Sequence, residues 1–240
     1  MKIDATGMEF QQLNRKIKES ADRKIQITGC CGQRYIASGL AGKELTIDGV
    51  PGNALGAYLD GTDIYVSGNV QDATGDTMNA GNIYIDGMAG DATGYAMRGG
   101  SILIHGDTGY RTGIHMKEYQ EKKPLIVIGG RAGSFLGEYQ AGGTIIVLGL
   151  HCDGQAPVGN FCGMGMHGGR IYLRADALPA DLSDRLVHRV AGLEEIQEIE
   201  PVLRHFCELF DEPMQQLWEK PFYLITPNSK NPYQQLYTAN

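Results

Sequence analysis

The sequence has few of the features that mark export, membrane insertion or nucleic-acid binding. No uninterrupted apolar run approaches the roughly 18 residues of a membrane span. The first ten residues lack the basic-then-apolar pattern of a signal peptide. The formal net charge of -7 argues against nucleic acid or an anionic membrane as the main partner, because both attract basic patches. We therefore predict a cytoplasmic protein that binds neither nucleic acid nor membrane.

Cysteine and proline are also scarce. There are only five cysteines, an odd number, which without an export signal predicts reduced thiols. Cys30 and Cys31 are adjacent rather than spaced as C-x2-C, so we predict a packing role for them. With 9 prolines and no glycine at every third position, the 34 glycines do not indicate collagen. They alternate with apolar runs, so disorder is a poor interpretation as well.

The glycines follow a repeat. Gly49, Gly68, Gly87 and Gly106 are spaced by 19 residues, and each closes a short apolar strand such as Ile64-Tyr-Val-Ser-Gly68. A second glycine follows seven residues later in these units. Later units carry insertions: one of five residues, placed within Lys117–Lys123, and one of seven between Gly149 and Gly163. The glycines to which we assign a structural role are Gly49, Gly56, Gly68, Gly75, Gly87, Gly94, Gly106, Gly113, Gly130, Gly137, Gly149 and Gly163.

A unit of 19 residues holds two or three short strands and tight turns, and it buries its apolar face only by stacking on copies of itself. The predicted fold is an all-β, right-handed parallel β-helix, a single-stranded β-solenoid of about 19-residue coils. Within each strand the alternation predicts that Ile64 and Val66 face inward and Tyr65 outward. Two inward ladders are predicted, and their polar members need hydrogen-bond partners. They are Leu55, Thr74, Thr93, Thr112, Leu136 and Cys162, and Leu59, Met78, Met97, Met116, Gln140 and Met166.

The two ends have helical spacing. Glu9–Ser20 and Leu182–Phe210 carry apolar residues at helical intervals, the second interrupted by Gly192 and Pro201. Helices commonly cover the exposed strand edges of a solenoid. The predicted organisation is a helical cap over residues 1–24, the β-helix over 25–175, and a helix with an extended tail over 176–240. We expect the tail from Pro221 onward to dock on the body or on a partner.

The repeated G-x6-G pattern between short strands resembles the GXGXG family, above all in the segment from Gly130 to Gly149. That family includes the C-terminal β-helix domain of the glutamate synthase large subunit and a subunit of formylmethanofuran dehydrogenase. The resemblance covers roughly Ile25 to Leu173 and implies a stand-alone homologue of the glutamate synthase domain, which carries no chemistry itself. Both upstream domains of that enzyme are missing here, so the resemblance implies amidotransferase and flavin-dependent synthase chains as partners.

The function implied is that of a non-catalytic scaffold in a glutamate synthase-like oxidoreductase assembly serving glutamate biosynthesis and nitrogen metabolism. FMN and an iron–sulfur cluster are then expected on the partner chains, and none on this one. An alternative places the chain in a formylmethanofuran dehydrogenase-type complex. Another is a β-helix acyltransferase using His115 or His151 as base, which the 19-residue period disfavours because those enzymes repeat every six residues. Association of copies of the chain is left open.

We predict no catalytic, cofactor or metal residue. Residues of metal-ligand type do gather near the second insertion, but their spacing fits no standard zinc site. These candidates are His151, Cys152, Asp153 and His167. The Gly163–Gly168 segment matches the G-x-G-x-x-G fingerprint, yet a strand rather than a helix is predicted after it, so we interpret the match as coincidence.

Two further sets of residues share repeat positions. Asp72 and Asp91 occupy one position, and Asp48, Asp86 and His105 another. Stacked carboxylates bind cations or act as acid and base in some proteins, but we predict solvated turns. Tyr65 and Tyr84 form an outward ladder, for which docking and simple cross-strand pairing remain equally open.

Overall fold

The computed structural model describes residues 1–152 and 154–228. Its strands are β1 (Lys2–Asp4), β2 (Lys24–Cys31), β3 (Glu44–Val50), β4 (Asp60–Val66), β5 (Ala80–Ile85), β6 (Ser101–Ile104), β7 (Leu125–Ile128), β8 (Ala141–Val147), β9 (Gly168–Arg174), β10 (Leu186–Val190) and β11 (Phe222–Pro227). Its helices are α1 (Phe10–Glu19), α2 (Leu193–Phe210) and α3 (Met214–Leu217).

The described strands form one sheet in the order β1-β2-β3-β4-β5-β6-β7-β8-β9-β11-β10. Neighbours from β1 to β9 are parallel and consecutive in the chain, whereas β11 pairs antiparallel with both β9 and β10. The 19-residue period sets the register, since Leu45 pairs with Ile64 and Ile64 with Ile83. The repeat predicted from the glycines is therefore the spacing between paired strands.

The predicted fold class, an all-β right-handed parallel β-helix with helical caps, is wrong for this chain. The structure is a mixed, mostly parallel sheet with helices. Each repeat contributes one strand, and the second side of the repeat forms only isolated bridges, such as Val70 to Ala89 and Ala89 to Thr108. The longest helix, α2, packs on a face of the sheet. The physical reason is that one sheet face is too apolar to be left in water.

That face is built by the outward residues of successive strands. Paired in register, they change from polar to aromatic to aliphatic along the sheet: Gln26, Thr46, Tyr65, Tyr84, Leu103, Val127, Ile146 and Tyr172. The last four are at most 1% exposed. They share a second core with Ile199, Leu203 and Phe206 of α2. The helix thus covers the apolar end of the face and leaves the polar end open.

The inward face forms the main core, and both predicted ladders are buried in it, with every member at most 6% exposed. The threonines are satisfied by carbonyls three residues earlier: Thr74 and Thr93 donate to Gln71 and Gly90 over 3.1 Å. Gln140 donates from Nε2 to the carbonyls of Gly142 and Gly143. The expectation of hydrogen-bond partners is confirmed for these residues, although Oε1 of Gln140 has none.

The glycines that close the strands lie directly against one another in neighbouring repeats. The Gly106 amide donates to the Gly87 carbonyl over 3.0 Å. A Cβ added at Gly68 would lie 2.7 Å from the Gly49 carbonyl oxygen. Any larger residue would therefore push neighbouring repeats apart.

The terminal segments match the sequence predictions only in part. The predicted first helix is present as α1, which buries Leu13 and Ile17. The prediction of helix from Leu182 is wrong, because Leu186–Val190 is strand β10 and α2 begins at Leu193, with Pro201 inside it. The part of the predicted tail that forms β11 docks on the sheet, and residues 229–240 lie outside the described residues.

Within the described part of the chain, no helix combines the length and apolarity needed to cross a bilayer.

Candidate functional site

The three candidate metal residues that the structure describes, His151, Cys152 and His167, do not form one group. Asp153 lies outside the described residues. His167 bonds through Nδ1 to the nearby Gly165 carbonyl oxygen over 3.2 Å. Cys152 is half-buried, and burial raises the pKa of its thiol. Only His151 joins a group of three metal-ligand side chains, and its companions in the described chain are His105 and Glu212.

His105 is the centre of this group, and it follows the last residue of β6. Its Nε2 lies 2.8 Å from Oε1 of Glu212, and its Nδ1 lies 3.0 Å from Oδ1 of Asp86. The ring also stacks on Phe210, with centroids 4.8 Å apart and planes within 7°. Asp86 occupies the equivalent repeat position 19 residues earlier. The imidazole is thereby fixed in orientation on both edges and on one face.

The end of α2 delivers Glu212. Asp211 caps the helix in the left-handed conformation at φ 57°, and the Glu212 amide donates to the Cys207 carbonyl over 3.0 Å. This pattern turns the chain sharply after the last helical residue. The turn directs the carboxylate back to the sheet, where its side chain is 11% exposed.

The second insertion supplies His151, at φ 60°. Its Nε2 lies 3.2 Å from the same Glu212 Oε1 that faces His105. The side chain of His151 is 67% exposed, whereas that of His105 is 26% exposed. The group is therefore open to solvent on the His151 side and closed on the Phe210 side.

The electrostatics of the group follow from these contacts. Burial works to lower the pKa of His105, but hydrogen bonds to Glu212 and Asp86 outweigh it and raise that pKa. Burial works to raise the pKa of Glu212, but hydrogen bonds from His105 and His151 lower it. A group of two imidazoles and a carboxylate can thus hold either a shared proton or a metal ion.

Two clefts border the group. One of about 670 Å³ is lined by the second insertion, including His151 and Cys152, together with Arg174 and Lys220. Arg174 is only 3% exposed and donates to the carbonyls of Leu217 and Leu148. Its hydrogen bonds join β9 to the segment after α2.

The other cleft, of about 400 Å³, lies where the end of α2 meets the open part of the sheet face. Its lining includes Tyr65, Tyr84, Asp86 and Phe210. Tyr65 and Tyr84 stack at 4.8 Å, and Tyr84 also meets His205 of α2 edge-on. Burial raises the pKa of Tyr84 to about 12. The predicted tyrosine ladder is therefore partly covered by this chain's own helix.

The remaining candidate features have structural partners. Asp72 accepts the Asp91 amide over 2.9 Å, and Asp91 accepts the Tyr110 amide over 2.8 Å, so these carboxylates link successive repeats. His115 stacks on Tyr139 with centroids 5.2 Å apart. Strand β9 begins at Gly168, as predicted for the segment after the glycine fingerprint.

The sequence missed His105 and Glu212 as members of one group. The equivalence of Asp86 and His105 was visible in the repeat and already predicted that the two stack. Glu212 gave no signal, because it lies 107 residues from His105 and reaches it only through the path of α2.

Comparisons with known proteins agree with the motif. The family model described as the GXGXG motif matches residues 8–224. An uncharacterized protein of Methanocaldococcus jannaschii is 43% identical over 251 residues, covering 99% of this chain and 96% of that protein. A chain in the crystal structure of the formyltransferase/hydrolase complex (FhcABCD) from Methylorubrum extorquens, in complex with methylofuran, superposes with a TM-score of 0.67 at 20% identity. That superposition covers 88% of this chain and 80% of the other, and it shows a shared fold. The chain belongs to the GXGXG motif family.

Proposed function

We propose that the chain is a non-catalytic structural subunit of a glutamate synthase-like oxidoreductase assembly, in which it holds an amidotransferase chain and a flavin-dependent synthase chain. In this proposal FMN and the iron–sulfur cluster belong to the partners. The chemistry is glutamine-dependent glutamate synthesis, and this chain contributes rigidity and docking surfaces.

The observation that carries the proposal is the placement of the motif glycines. A Cβ at Gly49 would lie 2.1 Å from the Cys30 carbonyl oxygen, and one at Gly75 would lie 2.4 Å from Cδ1 of Ile102. These glycines therefore face neighbouring repeats and not a cleft. The glycines of the repeat motif serve the stacking of repeats, which suits a rigid structural subunit better than a reaction site.

The open part of the outward face supports protein contact. Thr46 and Tyr65 are not covered by the α2 residues that bury Leu103 and its successors, and they line the 400 Å³ cleft. An aromatic edge beside a polar surface is the composition found at protein interfaces. We call the part of the outward sheet face around Thr46 and Tyr65 the open face. It is the first docking surface to test.

The test is reconstitution from purified chains. The full-length protein is mixed with the amidotransferase and synthase chains of its own organism, and complex mass is measured by light scattering after size-exclusion chromatography. We expect a stoichiometric complex. With a two-electron reductant supplied to the flavin of the synthase chain, we also expect faster formation of glutamate from glutamine and 2-oxoglutarate than without this chain. Absence of any complex, with all chains folded, contradicts the proposal.

The variant Tyr65→Arg tests the docking surface, with Tyr110→Arg as its control. Tyr110 is 54% exposed and lies outside the open face. We expect Tyr65→Arg to weaken the complex and Tyr110→Arg to leave it unchanged. If the two variants have equal effects, the open face is not the docking surface. The proposal that the chain forms a complex would still stand.

A second candidate is a subunit of a formyl-transferring complex of the formylmethanofuran dehydrogenase type. The observation favouring it is the shared fold with a chain of the FhcABCD complex. The same reconstitution with formyltransferase and hydrolase chains separates the two. Assembly with those chains, and none with the synthase chains, would replace the first candidate by the second.

A further inference from the structure

We propose that His105 Nε2, His151 Nε2 and Glu212 Oε1 form a binding site for one divalent ion of the zinc class. Asp86 orients His105 by a hydrogen bond to its other ring nitrogen, Nδ1. The three donor atoms all lie within 4.8 Å of one another. They come from the end of β6, the second insertion and the turn after α2. The site goes beyond the proposed scaffold function and does not depend on it.

The distances suit a metal ion of this size. Zinc binds imidazole nitrogen at about 2.0–2.1 Å and carboxylate oxygen at about 2.0–2.2 Å. Tetrahedral ligands at such lengths stand roughly 3.3 Å apart. Oε1 of Glu212 is 2.8 Å from one Nε2 and 3.2 Å from the other. The two imidazole nitrogens also lie within 4.8 Å of each other, so side-chain shifts on the order of 1–2 Å are enough to admit the ion.

The outer contacts also match those of metal ligands. A histidine that binds a metal through one nitrogen commonly donates the other N–H to a carboxylate, which fixes its tautomer. Asp86 occupies that place at 3.0 Å from Nδ1 of His105. Two carboxylates, Asp86 and Glu212, also balance the charge of a divalent ion beside neutral imidazoles.

A simple ion pair explains less of this arrangement. One histidine is enough to compensate Glu212, yet two imidazoles direct Nε2 to the same carboxylate oxygen. The donor set of two histidines and one glutamate leaves a fourth position free, and the exposure of His151 opens that position to water. Nitrogen and oxygen ligands without thiolate favour zinc and its neighbours over softer ions.

The experiment uses the full-length, tag-free chain after chelator treatment. Titration with ZnCl₂ by calorimetry is expected to give one site per chain, and Co²⁺ is expected to give visible absorption bands of a low-symmetry site. His151→Asn is the main variant, because asparagine tolerates the positive φ of residue 151. Because the side chain of His151 is exposed, we expect this variant to keep the fold. Circular dichroism checks this.

We expect each of the three variants His151→Asn, Glu212→Gln and Asp86→Asn to weaken Zn²⁺ binding about tenfold or more. The matched control is His188→Gln, on exposed strand β10, which should leave affinity unchanged. Absence of binding by the wild-type chain overturns the proposal, as does equal affinity in wild type and His151→Asn. Neither result affects the reconstitution with partner chains.

Discussion

At the scale of single residues, the methionine ladder shows how little room the main core has. Met97 is fully buried and aligns with Met78 and Met116 of the neighbouring repeats. Met97→Asp places an unpaired carboxylate there, at a cost of several kcal/mol against a net stability of roughly 5–15 kcal/mol. We expect the melting temperature to fall by about 10 °C or more.

Met88→Asp is the control for this substitution. Met88 is 50% exposed, so the same change should move the melting temperature by no more than about 2 °C. Melting of Met97→Asp within that range would contradict the burial of the ladder.

The cysteines give a second prediction at this scale. Burial raises the pKa of Cys30 to about 11 and of Cys162 to about 12, whereas Cys31 is exposed. The thiolate is the reactive form. With Ellman's reagent at pH 8 we expect Cys31 to react first and Cys152, half-buried, more slowly. Cys30, Cys162 and Cys207 should react only after unfolding.

Cys31→Ser should abolish the fast phase of that reaction. A fast phase that survives this substitution would mean that another thiol is accessible in the folded chain.

At the scale of elements, α2 is fixed at its start by a charged contact. Glu195 accepts the Gly192 amide over 2.7 Å and pairs with Arg189 over 2.6 Å. The hydrogen bond from Arg189 and that from the Gly192 amide lower the pKa of Glu195 to about 2. A carboxyl with a lowered pKa stabilises the folded state above its unfolded pKa of about 4.5, and this contribution is lost as pH falls towards 2.

Glu195→Gln should therefore lower the melting temperature at pH 7, and the difference from wild type should shrink between pH 4.5 and pH 2. Glu194→Gln is the control, since Glu194 lies in the same first turn but makes no pair with Arg189. A difference for Glu195→Gln that is constant from pH 7 to pH 2.5 would rule out the ionic contact as its cause.

Single elements also show how far the sequence could predict the fold. Alternation fixed the direction of Ile64 and Tyr65, because a strand with one buried face has a two-residue period. Alternation did not identify strand Leu186–Val190, because this strand lies at the edge of the sheet and only Leu186 is buried. The aliphatic series Leu103, Val127 and Ile146 carried the signal that the outward face must be covered.

The candidate site was less predictable. His151 was noted as a residue of metal-ligand type but was not predicted to bind a metal, and the shared repeat position of Asp86 and His105 was interpreted as solvated turns. Their convergence with Glu212 depends on where α2 ends after crossing the sheet face. That position follows from packing of Leu203 and Phe206 on the face, which no local pattern encodes.

At the scale of the whole molecule, the outward face of the sheet has one part covered by helix α2 and one part left open. The aliphatic half packs against this chain's own helix, which also partly covers Tyr84, whereas Thr46 and Tyr65 lie in the open part. The repeats are linked by hydrogen bonds from strand to strand, so the open part of the face is held as a rigid surface.

The last prediction is that the purified chain binds neither flavin nor an iron–sulfur cluster. A cluster needs three or four cysteines that converge, and the group of three metal-ligand side chains found in residues 1–152 and 154–228 contains no cysteine. A flavin phosphate favours backbone amides at a helix N-terminus, and the glycine fingerprint runs into strand β9. We expect no absorbance band between about 300 and 500 nm, with the flavin-dependent synthase chain as positive control. Bound Zn²⁺ is colourless and leaves this result unchanged, whereas a stoichiometric flavin band or the absorption bands of an iron–sulfur cluster would contradict the scaffold proposal.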